Sequence, residues 1–193
     1  MKILILEGIA TSGKTTIINK LDKLLSEKKV SFSIIDEEQT LMPILKNRDK
    51  DANLSFIETL LMKVLKSKKD VLIFDRLYLT HIYRSVSSPK DFMPAAKLLM
   101  PYKPTFILLT VKEEKIMERI YKTAKVRECS WLEFVQQKGN DEEEVAEYYI
   151  DQQKKFVELI NNIEFESVRF DTTDNNFDQI SKEIYTNYLH NHN

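Results

Sequence analysis

Apolar residues along this chain alternate between two patterns. Short continuous runs occupy positions 3–6 (Ile3, Leu4, Ile5, Leu6), 32–35, 71–74 and 106–111, and a fifth, interrupted by charge, spans 165–170. Runs of this length without polar alternation predict parallel strands buried on both faces. Between them the spacing becomes helical. Residues 15–28 set Ile17, Ile18, Leu21, Leu24 and Leu25 on one stripe, and residues 54–65 do the same with Ile57, Leu60, Leu61 and Val64. After Asp141, three glutamates (Glu142, Glu143, Glu144) precede Val145, Tyr148, Tyr149, Phe156, Leu159 and Ile160, which predicts a long helix with anions at its positive end. Aromatic residues in such helical patterns, Trp131, Tyr148 and Tyr149, read as core. Strand and helix alternate from end to end. The predicted fold is therefore α/β, a mostly parallel five-stranded sheet covered by helices on both faces, with residues 1–193 as a single domain.

Composition narrows the class. Lys and Arg number 29 against 30 Asp and Glu, a formal charge of -1, so the basic excess of a dedicated nucleic-acid binder is missing and any anion binding must be local. A nucleic-acid polymer is not an expected partner. The one cysteine, Cys129, can form no internal disulfide and no multi-thiolate metal site, which fits a reducing, cytoplasmic setting. The opening apolar run is broken by Glu7 and Gly8 before it reaches signal-peptide length, and no later run is long enough to span a bilayer, so no membrane association is expected.

The chain has only three glycines, and two of them lie five residues apart in Gly8-Ile9-Ala10-Thr11-Ser12-Gly13-Lys14-Thr15. This matches G-x-x-x-x-G-K-[ST] directly between a predicted strand and a predicted helix, the context a phosphate-binding loop requires. The glycines let the backbone curl so that the N–H groups of Ala10, Thr11, Ser12 and Gly13 and the helix N-terminus converge on phosphate charge. Lys14 would reach the β- and γ-phosphates, Thr15 would ligate Mg²⁺, and Thr16 would add a donor in the first helical turn. The letters of a guanine-reading N-K-x-D tetrad occur only inside the first helix (Asn19-Lys20-Leu21-Asp22), too early for a base loop, which favours ATP.

The segment Leu6-Glu7-Gly8 through Thr16 resembles the opening of thymidylate kinases and, more loosely, of deoxynucleoside kinases. Val71-Leu72-Ile73-Phe74-Asp75-Arg76 is similar to the Asp-Arg strand of that superfamily. The stretch 118–128, with Arg119, Lys122, Lys125 and Arg127, resembles its basic lid, placed at about residues 119–140, and Asp171-Thr172-Thr173 resembles the adenine-side loop. The resemblance implies a P-loop three-layer fold with a basic helical lid. It also implies Mg²⁺-ATP as phosphoryl donor, Asp75 beside Thr15 at the metal, Arg76 on the acceptor, and Arg119, Lys122 and Arg127 neutralising charge as the lid closes. Related kinases are often dimers, and residues 54–65 or 95–100 would serve for a homodimer. Ala10, Leu77 and Tyr83-Arg84 stand where thymidylate kinases usually carry Asp, Tyr and a glutamine-ended helix, which leaves the acceptor open.

The second predicted strand runs into Asp36-Glu37-Glu38. A carboxylate there resembles the base of kinases that phosphorylate a hydroxyl, because an attacking alcohol must lose a proton whereas a phosphate acceptor is already anionic. Asp36 or Glu37 would be that base. The expected activity is transfer of the γ-phosphoryl group of Mg²⁺-ATP to a nucleoside or nucleoside monophosphate. A kinase for another alcohol, such as an antibiotic or metabolite, and an ATP-binding regulatory module are the alternatives.

Overall fold

The computed structural model of the chain describes residues 1–45, 47, 49–84, 87–125 and 129–190. The strands are β1 (Lys2–Gly8), β2 (Phe32–Ile35), β3 (Val71–Asp75), β4 (Thr105–Thr110) and β5 (Glu166–Asp171), each within a residue or two of its sequence expectation. They form one all-parallel sheet in the order β2-β3-β1-β4-β5. The helices are α1 (Lys14–Glu27), α2 (Glu37–Thr40), α3 (Met42–Leu45), α4 (Lys50–Val64), α5 (Leu79–Arg84), α6 (Met93–Leu99), α7 (Glu113–Ala124), α8 (Cys129–Gln136), α9 (Glu142–Ile160) and α10 (Phe177–Ile184). Among the described residues no helix is long and apolar enough to cross a membrane.

Successive side chains of a strand point to opposite faces, so each central strand feeds two cores. Ile3, Ile5, Leu72, Phe74, Phe106 and Leu108 meet α4, α5, α6 and α9 on one face. Leu4, Leu6, Val71, Ile73, Ile107 and Leu109 meet α1 and α10 on the other. The fifth run carries charge because β5 is an edge strand, where Glu166 and Arg169 reach water. Asp141 caps α9 by accepting from the Glu144 N–H at 2.9 Å, with the three glutamates in the first turn as expected. The buried faces of α4 (Ile57, Leu61) and α6 (Ala95, Leu99) belong to this core, so the residues considered for a dimer are partly consumed within one chain.

A third cluster stands over the carboxyl ends of the strands. Ile9, Val111, Ile116, Ile120, Val135, Val145 and Tyr149 join the phosphate loop to α7, α8 and α9. Gln153 of α9 clamps the chain just after β4, donating to Val111 O and accepting from Val111 N–H, both at 2.8 Å. These contacts wall the crevice outside the strand ends, where ligands of open α/β sheets bind.

Candidate active site

The turn from β1 into α1 needs backbone that side chains resist. Gly8 has φ 151, Thr11 φ 65 and Gly13 φ 92, and a Cβ on Gly13 would collide with the Phe177 ring. Helix α1 has neither a side-chain cap nor an acidic residue in its first turn, so its positive end faces the cleft uncompensated. Lys14 Nζ donates to Gly8 O and Ile9 O, both at 3.0 Å. Ala10, Thr11, Gly13, Lys14, Thr15 and Thr16 line a cleft of about 1020 Å³. Ser12 is buried beneath the loop, and its carbonyl accepts from Thr172 Oγ1 at 2.9 Å, which ties β5's exit to the phosphate loop.

Burial lowers the Lys14 pKa to about 8, with Arg76 adding to the effect and Asp75, Glu37 and Glu7 opposing it. Between pH 7 and 9 the free protein therefore loses the charge that meets phosphate. ATP affinity is expected to fall as pH rises through about 8, with proton uptake on binding above that pH. Calorimetry in two buffers of different ionisation enthalpy measures both.

Asp75 ends β3 opposite Leu6, is 6% exposed, and has an Oδ1 without a hydrogen-bond partner among the described residues. Burial raises its pKa, while Lys14 and Arg76 pull it down. A buried carboxylate oxygen with no donor suits a cation, and Thr15 lines the cleft beside Lys14, whose charge acts on Asp75. The pair fits Mg²⁺, which keeps most of its shell as phosphate and water. Arg76 follows at φ 65. Its Nη1 donates to Gly8 O at 2.8 Å and Thr80 Oγ1 at 3.1 Å, and its Nε pairs with Glu37 Oε1 at 3.3 Å.

The two candidate bases part company here. Asp36 is the N-cap of α2, accepting from Gln39 N–H at 3.0 Å in a capping box, and it points to solvent. That use of its carboxylate leaves Glu37, one residue into the helix, on the cleft wall beside Arg76.

Glu7, which in the sequence only breaks an apolar run, is a positioning residue. It is fully buried at the end of β1. Its Oε1 accepts from the N–H groups of Leu77 (3.0 Å), Tyr78 (2.7 Å) and Leu79 (2.9 Å), and its Oε2 from Thr80 N–H (3.3 Å) and Oγ1 (2.6 Å). It thereby fixes the turn that carries Arg76 and starts α5, which has no acidic residue of its own in its first turn. An ionisable residue inside an otherwise apolar central strand is the signal that marks it.

Beside the phosphate loop, Arg119 of α7 is seated rather than projecting from a lid. Nη1 donates to Thr11 O (3.3 Å) and Thr172 Oγ1 (3.1 Å), and Nη2 to Thr172 O, Thr173 O (3.2 Å) and Asn175 Oδ1 (2.6 Å). Its guanidinium also lies over the Phe177 ring at 5.9 Å. Lys115 and Lys122 line the cleft beside it, while Arg127 and Glu128 lie outside the described residues.

The far end of the cleft is walled by Leu41, Met42, Leu45, Trp131 and Phe134, with Arg84, Tyr149 and Gln152. Trp131 and Tyr149, expected in the core, do pack in the third cluster, Tyr149 fully buried and Trp131 partly so, and both also line the cleft. A helical stripe marks burial, and a cleft wall under α7 and α8 excludes water as a core does. His81 does not line the cleft. It packs edge-on against Phe92, and burial drops its pKa to about 3, so it stays neutral.

A family model described as "Chromatin associated protein KTI12" matches residues 1–85. No curated protein matches. Among solved structures, the YorR protein from Bacillus subtilis, in complex with phosphorylated GDP, aligns at a TM-score of 0.69 with 17% identity, over 100% of this chain and 99% of that one. Shikimate kinase from Bacteroides thetaiotaomicron aligns at 0.61 with 15% identity (96% and 97%). Shikimate kinase from Acinetobacter baumannii, in complex with shikimate, aligns at 0.56 with 18% identity (99% and 94%). The fold is thus that of P-loop kinases, and the likeness extends over the whole chain without singling out thymidylate or deoxynucleoside kinases.

Proposed function

We propose that this chain, acting as one unit with residues 119–140 as its lid, transfers the γ-phosphoryl group of Mg²⁺-ATP to a small acceptor, a nucleoside or nucleoside monophosphate. The observation that carries the reading is the gathering of the phosphate loop, Arg76, Glu37, Arg119 and Lys122 on the wall of a single cleft, with Asp75 buried beside Lys14 and Arg76. Lys14 and the loop N–H groups of residues 10–13 hold the phosphates, and Thr15 and Asp75 hold Mg²⁺, which supplies charge neutralisation at phosphate oxygens. Glu37 accepts the proton of an attacking hydroxyl, and its pairing with Arg76 keeps it aimed. Arg76 is anchored to Gly8 O, which places its charge against the loop where negative charge builds during transfer.

The test is ADP release from Mg²⁺-ATP across nucleosides, nucleoside monophosphates and other alcohols. Acceptor-stimulated release with a phosphorylated product supports the reading. Tight ATP binding without stimulation by any acceptor overturns it and fits an ATP-binding module instead, the alternative kept in view by the chromatin-associated description of the matched family model.

A further inference from the structure

The acceptor end of the cleft presents hydrogen-bond donors that the fold leaves unused. Tyr149 and Gln152 lie one turn apart on α9, both 1% exposed and both lining the cleft. The Tyr149 hydroxyl and Gln152 Nε2 have no partner among the described residues, nor does Arg84 Nε. A buried polar group without a partner costs stability and is retained where a ligand supplies the partner. Burial pushes the Tyr149 pKa up to about 12, so its hydroxyl stays protonated and available as a donor.

The charge beside these donors is positive. Arg84 donates to Tyr148 Oη at 2.8 Å and lies 6.0 Å and 5.8 Å from the centres of the Phe134 and Tyr148 rings. Lys138 adds a second cation on the same rings, at 4.3 Å and 5.8 Å. Neither forms an ion pair among the described residues, where six ion pairs occur elsewhere. Glu37, which also lines the cleft, faces Arg76. An arginine in a partly dry aromatic pocket, with neutral donors converging beside it, is a setting that an oxyanion completes.

Resting on the phosphotransferase reading above, we propose that Arg84, Tyr149 and Gln152 bind an oxyanion carried by the acceptor itself, a carboxylate or a phosphate ester, while its hydroxyl faces Glu37. The acceptor is then an anionic alcohol rather than a neutral nucleoside, sugar or antibiotic. In the step itself the acceptor oxygen bonds to the γ-phosphorus as the bond from that phosphorus to the bridging oxygen of ADP breaks. The hydroxyl proton passes to Glu37 and ADP departs with the bond's electron pair. The apolar wall of Leu41, Met42 and Leu45 covers the acceptor's carbon body between its two polar ends.

Matched pairs test this: nucleosides with their 5′-monophosphates, and hydroxy acids with their primary amides, in the ADP-release assay with phosphorus NMR of the product. The anionic members are expected to stimulate release and to gain a phosphoryl group on a carbon-bound oxygen. Arg84→Gln should raise KM for them by about 10- to 100-fold with little change in the KM for ATP. Arg84→Lys should fall between, since the charge remains and the fork is lost. Tyr149→Phe and Gln152→Leu should each raise the same KM by about threefold or more. Thermal melting of each variant, required to match the parent, separates binding loss from misfolding. Stimulation by the phosphate arm or by the carboxylate arm says which oxyanion is bound. Preference for the neutral members, a diphosphate product, or an Arg84→Gln effect equal for both members of a pair overturns the inference and leaves the kinase reading standing. Silence from every pair with ATP bound overturns the kinase reading, and the inference with it.

Discussion

Glu7→Ala is expected to destabilise the protein by about 3–5 kcal/mol, measured as a shift in the urea midpoint at unchanged m-value. The carboxylate at the end of β1 accepts five hydrogen bonds from residues 77–80, all buried. Alanine would strand four backbone N–H groups and the Thr80 hydroxyl in a place water does not reach. Each unsatisfied group costs about 1–3 kcal/mol, discounted because the turn can relax. Glu7→Gln separates stability from function. Its amide can keep the Oε1 contacts to Leu77, Tyr78 and Leu79, but it turns an NH₂ toward Thr80, whose N–H and O–H are both donors. Thr80 Oγ1 is also the partner of Arg76 Nη1 at 3.1 Å. The folded Glu7→Gln protein is therefore expected to lose turnover by about tenfold or more with a smaller stability loss. Full activity in that variant would show that Glu7 supports the fold without positioning Arg76.

Lys14→Ala is expected to lower kcat/KM by at least about 10²–10³-fold, with the fold retained. The ammonium group is buried between the phosphate loop, Asp75 and Arg76, where a charge is worth far more to a phosphate than in water. Its loss should not lower stability near neutral pH, because burial disfavours the charged form there. The sign of the pH dependence checks this. The folded pKa of about 8 lies below the ordinary lysine value of 10.5, so from about pH 8 to 10.5 the unfolded chain holds the proton more tightly. Lys14 therefore makes stability rise with pH across that window, and the rise should be missing in Lys14→Ala. Unchanged turnover in a folded Lys14→Ala protein would remove the phosphotransferase assignment.

The five strands and the phosphate loop were legible because their signals are local. An unbroken apolar run such as Ile3 to Leu6 cannot sit at a surface, and two glycines bracketing Ala10, Thr11 and Ser12 before a lysine leave the backbone few other uses. Asp75 was placed at the strand end by the same kind of evidence, since β3 is apolar up to its last residue. Charge patterning was less informative. Arg119 belongs to a basic stretch that reads equally as a solvated helical face or a lid. Its place is set by carbonyls at Thr11, Thr172 and Thr173, up to 108 residues away in the chain.

The order of elements, the nature of the sheet and the position of the phosphate loop follow from the amino-acid sequence alone, because period, run length and turn chemistry act over a few neighbouring residues. The identity of the site's remaining members does not. Asp36 and Glu37 are adjacent carboxylates with equal claims in one dimension, and the first turn of α2 turns one into a cap and the other toward Arg76. Glu7 finds its partners 70 residues and more along the chain, and Tyr149 and Gln152 share a wall with Arg84 only in the cleft that the folded chain forms. Periodicity reports that a side chain leaves water. Whether it enters a core or a cleft depends on which distant element covers it, and that is decided when the layers pack.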